Sequence, residues 1–257
     1  MPGVRWIVLG SGGGEAAPDR VSPGHLLETP EAAVLFDCGD GVTGSFLRLG
    51  RRVEDVDAIC ISHTHPDHVG GLSFFLQLMY LAVRRRELHV YLPAEAIDGI
   101  KSYLELSYLF VERFPFPVAC IPLEDGVHIT CADISVIPHA NTHLTRHRGQ
   151  PWMDGVGNRG GCFSFEIGCR SKKVVYSADV GALDDLAFCT GANLLIAETT
   201  HVSVAELLPR AEIWQIATLA LVHLGPDFDP ESVTAARRFF TGQILIAADG
   251  LCIPLND

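Results

Sequence analysis

Ser62-His63-Thr64-His65-Pro66-Asp67-His68 gathers three imidazoles and a carboxylate into six positions, directly behind the short apolar run 58–61. A buried strand that ends in so many metal donors restricts the fold. Its end has to lie where the ends of other strands bring further donors. Imidazole nitrogen and carboxylate oxygen suit zinc, iron or manganese, and a tight turn can aim them in two directions. A solvated loop whose histidines cluster by chance is the weaker reading, because only eleven histidines are spread over 257 residues.

A two-metal centre needs more donors than this loop supplies. Three other apolar runs end in them. Ile137-Pro138-His139-Ala140-Asn141-Thr142-His143 offers two imidazoles, with His147 close behind; Tyr176-Ser177-Ala178-Asp179 ends in a carboxylate, and Leu221-Val222-His223 in an imidazole. Taken singly, Asp179 reads as a turn or cap residue and His223 as a core histidine. Their order behind the histidine loop is what raises them to candidate ligands.

Periodicity predicts strands over 4–9, 25–29, 33–37, 88–92, 118–122, 127–130, 133–137, 162–167, 174–177, 194–197, 219–223 and 244–247. Helical patterns cover 43–49, 72–83, 94–110, 183–188, 203–217 and 230–240. Many strands with helices before, between and after them imply an α/β chain of two packed sheets with helices outside. The glycine-rich loop 10–24 is of a kind that brings backbone N–H groups to an anion. Arg84-Arg85-Arg86 reads as a solvated helix C-terminus.

No Pro/Ser-rich linker divides the chain, so a single domain over 1–257 is expected, and 48% hydrophobic residues provide for a sizeable core. No apolar stretch approaches membrane-spanning length and no leader pattern opens the sequence, so a cytoplasmic protein without a membrane partner is expected. The eight cysteines lack C-x-x-C spacing and read as reduced and structural. A formal charge of -12 disfavours a long nucleic acid as partner.

These segments together resemble the metallo-β-lactamase superfamily. The resemblance rests on Leu9-Gly10-Ser11-Gly12, Leu35-Phe36-Asp37-Cys38-Gly39, the histidine loop continued by Val69-Gly70-Gly71-Leu72, Tyr176-Ser177-Ala178-Asp179, Ala197-Glu198-Thr199-Thr200 and Val222-His223-Leu224. It implies a four-layer αββα sandwich and two divalent metal ions, zinc first, with manganese or iron as alternatives. It implies further that one ion is held by His63, His65 and His143, the other by Asp67, His68 and His223, and that Asp179 bridges them. His139 competes with His143, and His147 more weakly. Asp37 is expected to orient the histidine loop, as buried carboxylates do for ligating imidazoles.

Within the superfamily the chain resembles the ribonuclease Z and phosphodiesterase branch, with departures. Only 35 residues separate His143 from Asp179, too few and too little basic for the arm with which ribonuclease Z grips transfer RNA. Arg210-Ala211-Glu212-Ile213-Trp214 stands where a His-Ser/Thr pair is expected, and Leu224-Gly225-Pro226-Asp227 follows the last histidine. The expectation is therefore a metal-dependent hydrolase whose shared hydroxide attacks an ester bond, most simply a phosphodiester of a small anionic substrate. Asp67 would orient the nucleophile, and His201, beside Glu198, would protonate the leaving oxygen or else cap the helix that follows. Arg146, Arg148 and Arg159, with Trp152, would present cations to the substrate. A lactonase or thioesterase, a ribonuclease Z-like endonuclease, and a metal-binding accessory protein without turnover are the alternatives. A homodimer is compatible with all of them.

Overall fold

The computed structural model describes residues 3–150 and 153–255. The first half of the chain runs Arg5–Gly10 (β1), Gly24–Glu28 (β2), Ala33–Phe36 (β3), Val42–Arg48 (α1), Ala58–Cys60 (β4), Pro66–Val69 (α2), Leu72–Leu81 (α3), Leu88–Pro93 (β5), Ile97–Leu106 (α4) and Val118–Leu123 (β6). The second half runs Ile129–Cys131 (β7), Ile134–Ala140 (β8), Phe163–Cys169 (β9), Lys172–Tyr176 (β10), Leu194–Glu198 (β11), Val204–Ile213 (α5), Thr218–Val222 (β12), Pro230–Ala236 (α6), Gln243–Ile246 (β13) and Cys252–Pro254 (β14). Two seven-stranded sheets result, ordered β14-β1-β2-β3-β4-β5-β6 and β13-β12-β11-β10-β9-β8-β7.

Strand alternation builds the layers. In β1, Trp6 and Val8 face the other sheet, against Phe36, Phe165 and Tyr176, whereas Ile7 and Leu9 face outward among Phe46, Phe75 and Leu104 of α1, α3 and α4. On the far side Leu195, Leu219 and Leu221 pack against Leu207 and Leu208 of α5 and Val233 of α6. Both faces of each sheet are thus covered, which is why the strands read as continuous apolar runs. The order helix, sheet, sheet, helix is the expected αββα sandwich. Two elements escaped the periodicity: β14, added to the edge of the first sheet beside β1, and the one-turn α2, too short for a 3.6-residue repeat to register.

Other expectations need correction. Arg84 is buried, not solvated: its guanidinium donates to the carbonyls of Val53, Arg86 and Glu87 and lies over the Phe116 ring. Amides of the glycine-rich loop are spent on the protein's own acceptors. Ser11 N–H donates to Asp249, Gly12 N–H to Val21, and Arg20 turns inward to Ser11 and Ala247. The cysteines are free, and burial pushes the Cys38 and Cys60 thiols well up, which leaves them unreactive.

His25 lies fully buried between Trp6 and Tyr176, its Nδ1 without a hydrogen-bond partner. Burial first, then the neighbouring His68 and His223, lowers its pKa to about 3. The unfolded chain therefore takes up a proton here below pH ~6.5 that the folded one refuses until near pH 3, so acidification through that window favours unfolding. His25→Leu should move the acid-unfolding midpoint, followed by circular dichroism, to lower pH; an unmoved midpoint would mean that this imidazole is protonated in the fold.

No helix among the described residues is long and apolar enough to cross a membrane.

Candidate metal centre

The parallel runs β3-β4-β5-β6 and β10-β11-β12-β13 end at the same rim of the sandwich. Every candidate donor follows a strand end there. Asp37 succeeds β3, the histidine loop β4, His143 β8, Asp179 β10, His201 β11 and His223 β12. Pro66 starts α2 with a fixed φ and needs no donor there. The single turn it opens folds Asp67 and His68 back toward the second sheet. Asp37, Ala178 and His223 have φ of 57°, 47° and 54°, left-handed values that cost a non-glycine residue of order 1 kcal/mol or more. Three such residues at strand ends mark where the chain is bent sharply to aim side chains inward.

Hydrogen bonding fixes which imidazole nitrogens carry lone pairs. Asp37 is the hub: Oδ1 accepts from Ser62 N at 2.7 Å, and Oδ2 accepts from Ser62 Oγ at 2.9 Å, His68 Nδ1 at 2.7 Å and Tyr176 Oη at 2.7 Å. Since the Ser62 hydroxyl donates to Asp37, its oxygen accepts from His63 Nδ1 at 3.0 Å. Thr200 repeats the arrangement on the other sheet: its hydroxyl donates to the His223 carbonyl at 2.8 Å and accepts from His223 Nδ1 at 2.9 Å. With Nδ1 engaged as donor, Nε2 of His63, His68 and His223 faces the centre as an acceptor.

These atoms meet other acceptors. His68 Nε2 stands 3.4 Å from His223 Nε2, both stand 3.2 Å from Asp179 Oδ1, and His223 Nε2 is 3.2 Å from Asp67 Oδ2. His143 Nε2 lies 3.4 Å from His65 Nδ1 and 3.6 Å from Asp179 Oδ2. His63 Nε2 and Asp179 Oδ1 are buried without a hydrogen-bond partner. Acceptors crowded together in a dry site repel unless a cation sits among them, so the donor set fits metal ions. Within 4.8 Å of one another fall ligand atoms of His63, His65, His143 and Asp179; of Asp67, His68 and His223; and of Asp179, His201 and His223.

Electrostatics points the same way. Burial holds the His63 imidazole well below its ordinary pKa and His143 down to about 4, so both are neutral at pH 7, as ligation requires. His68 goes the other way, because Asp179 and Asp37 outweigh the burial that opposes its charge. Burial alone would also raise the Asp179 carboxyl, yet His68 and His223 draw it well below the carboxylate range. The junction of His68 and Asp179 demands positive charge, which a proton or a metal ion can supply.

Among the competing histidines the structure brings His143 into the cluster. His139 instead stacks on Phe188 at 3.8 Å and lies 3.5 Å from Glu166, and His147 lies in the turn beyond Leu144. His201 joins the rim. Its ring is 4.6 Å from that of His143, its Nδ1 lies 3.1 Å from Glu198, and that hydrogen bond raises its pKa. It does not cap α5, whose cap is Ser203 accepting from Glu206 N.

The arginines separate. Arg148 holds the loop together by donating to the carbonyls of Arg159 and Gly160, whereas the charge of Arg146 is felt at His201. Trp152 lies outside the described residues. Four contributors went unrecognised in the sequence: Ser62, Tyr176, Thr200 and the pair Gly13-Gly14. A Cβ at Gly13 would come within 3.2 Å of His223 Nδ1, and one at Gly14 within 3.4 Å of Asp67 Oδ2. The only signal for the three hydroxyl residues is a polar residue at or just beyond the end of a strand that leads to the site.

A family model described as Anti-Pycsar protein Apyc1 matches residues 4–239. A ribonuclease Z of Ignicoccus hospitalis is 33% identical over 136 residues, which cover 53% of this chain and 44% of that protein. One of Pyrococcus abyssi is 27% identical over 293 aligned positions, covering 96% of this chain and 94% of its own. That alignment is longer than the 257 residues here, so the relative carries segments without a counterpart in this chain. Among solved structures, the metallo-β-lactamase fold protein YhfI of Bacillus subtilis superposes with a TM-score of 0.76 at 23% identity, covering 98% of this chain and 99% of its own.

Proposed function

The chain belongs to the family described as Anti-Pycsar protein Apyc1, in the ribonuclease Z and phosphodiesterase branch of the metallo-β-lactamase superfamily, and from that premise we propose that it hydrolyses phosphodiesters of small anionic substrates with the help of divalent metal ions. The convergence of imidazole nitrogens and carboxylates from both sheets is the observation that carries this reading. His63, His65 and His143 would hold one ion, Asp67, His68 and His223 a second, and Asp179 would lie between. The imidazole-rich set suits zinc best. Bound there, the ions would provide hydroxide near pH 7 and neutralise charge on a phosphoryl oxygen.

The chain's own groups do the rest. Asp67, at the mouth of the site, accepts a hydrogen bond from the attacking water and so directs its lone pair at phosphorus. Arg146 supplies a cation to an anionic substrate. Glu198 takes the Nδ1–H of His201, which leaves Nε2 to deliver a proton. The water oxygen bonds to phosphorus, the P–O ester bond breaks, and the departing oxygen takes that proton, giving a phosphomonoester and an alcohol. A net charge of -12 and the short span between His143 and Asp179 favour a small substrate over RNA.

The test compares a chromogenic phosphodiester, a lactone, a thioester and a short RNA on zinc-loaded protein, with Asp179→Ala as blank. Zinc-dependent turnover of the phosphodiester is expected. Turnover of the lactone or thioester alone, or of RNA alone, would overturn the proposal. His201→Asn should slow an alkyl ester, whose leaving oxygen needs a proton, by about 10²-fold or more, and a 4-nitrophenyl ester far less. Equal losses on both would remove His201 from the role of acid.

A further inference from the structure

Two clefts of unlike character flank the centre. One, about 290 Å³, borders Asp67 and His223 through Gly14 and Thr200, and Glu15 and Asp227 lie on its rim. The other, about 260 Å³, has the candidate ligand His65 itself in its wall and is lined further by Leu144, Met153 and Val156, with Thr64, His147, Arg148 and Asn158 as its polar members. Among the described residues no carboxylate lines this second cleft.

The second cleft is built by hydrogen bonds rather than left between loose strands of chain. Glu95 accepts from Arg159 N and Gly161 N at 3.2 and 2.6 Å, Asn158 accepts from Gly160 N at 2.9 Å, and Arg148 ties the two sides together. These bonds hold residues 158–161 in place without using the apolar side chains of Met153 and Val156, which line the space beside His65.

A phosphoryl group seated among the metal donors would have one substituent directed along that wall. The apolar side chains of Leu144, Met153 and Val156 favour a largely apolar group there, on whose ring face the bordering Arg148 guanidinium can stack, while the carboxylate rim of the other cleft repels anything anionic. The volume falls below the ~300 Å³ at which pockets begin to enclose a whole drug-sized ligand, so the cleft takes one arm and not the whole molecule.

The structure assigns to the cleft between His65 and the 153–158 segment the role of a subsite for a ring-sized apolar arm of the substrate, an assignment that rests on the phosphodiester reading given above. Met153 and Val156 then set specificity without touching the reacting atoms.

Calorimetric titration of zinc-loaded protein with methylphosphonate and phenylphosphonate separates the two ideas, since both carry the same anionic head and only one carries a ring. Phenylphosphonate should bind at least about tenfold more tightly, in line with what an apolar pocket discriminates. In Met153→Gln/Val156→Asn, at partly exposed and exposed positions respectively, that advantage should vanish while methylphosphonate binds as before. Equal affinities in the unaltered protein, or a variant that weakens both ligands by the same factor, would overturn the subsite and leave the phosphodiester reading standing. Failure of both phosphonates to bind would overturn the two together.

Discussion

Asp179→Ala will cost the protein at least one bound metal ion and reduce phosphodiester turnover by about three orders of magnitude or more, because the lost stabilisation amounts to several kcal/mol. Among the described residues only Asp179 has carboxylate oxygens within 4.0 Å of imidazoles of both donor groups: Oδ1 is 3.2 Å from His68 and His223, and Oδ2 is 3.6 Å from His143 and 3.9 Å from His63. Methyl in place of carboxylate leaves the imidazoles without their shared anion. Elemental analysis of the purified variant beside its steady-state rate reads both effects. A variant with full metal content and normal rate would remove Asp179 from the centre.

Asp37→Ala should do comparable damage by another route. Ser62 N, Ser62 Oγ, His68 Nδ1 and Tyr176 Oη all donate to this carboxylate inside the fold, and all lose that acceptor once it is gone. Each stranded donor costs about 1–3 kcal/mol. A loss of several kcal/mol in chemical unfolding is therefore expected, together with metal affinity weakened about 10- to 100-fold as His63 and His68 lose their fixed tautomers. Tyr176→Phe gives the graded control, since it removes one donor and strands none. An Asp37→Ala protein as stable as its parent would mean that water replaces the carboxylate and that the hub does not orient the histidines.

What could be read from the sequence divides along physical lines. The candidate ligands announced themselves because they follow apolar runs, and a strand buried on both faces leaves its first polar residue at the rim of the sheet. The αββα layering followed from the same runs. His143 could be preferred to His139 only by resemblance; in the fold the choice comes from β8 continuing through His139 to Ala140, which points that ring at Glu166 and Phe188. Arg84 was misread because a charge run carries no sign of which member finds three carbonyls in the interior. Ser62, Tyr176 and Thr200 act on the imidazoles through contacts that the chain's order does not encode, since Tyr176 reaches Asp37 across 139 positions. The arginines of 144–161 looked equivalent until Arg148 proved to be a loop fastener.

The hub and its hydroxyl counterpart, Thr200, stand on different sheets, and the donors they aim meet across the gap between the two. Breathing of the sandwich, any small slide of one sheet over the other, must separate His63 and His68 from Asp179 and His223. Ions bound there would turn a sliding contact into a pinned joint. Amide hydrogen exchange at the ends of β4 and β12, in strands that share no hydrogen bond, would then slow together on metal loading.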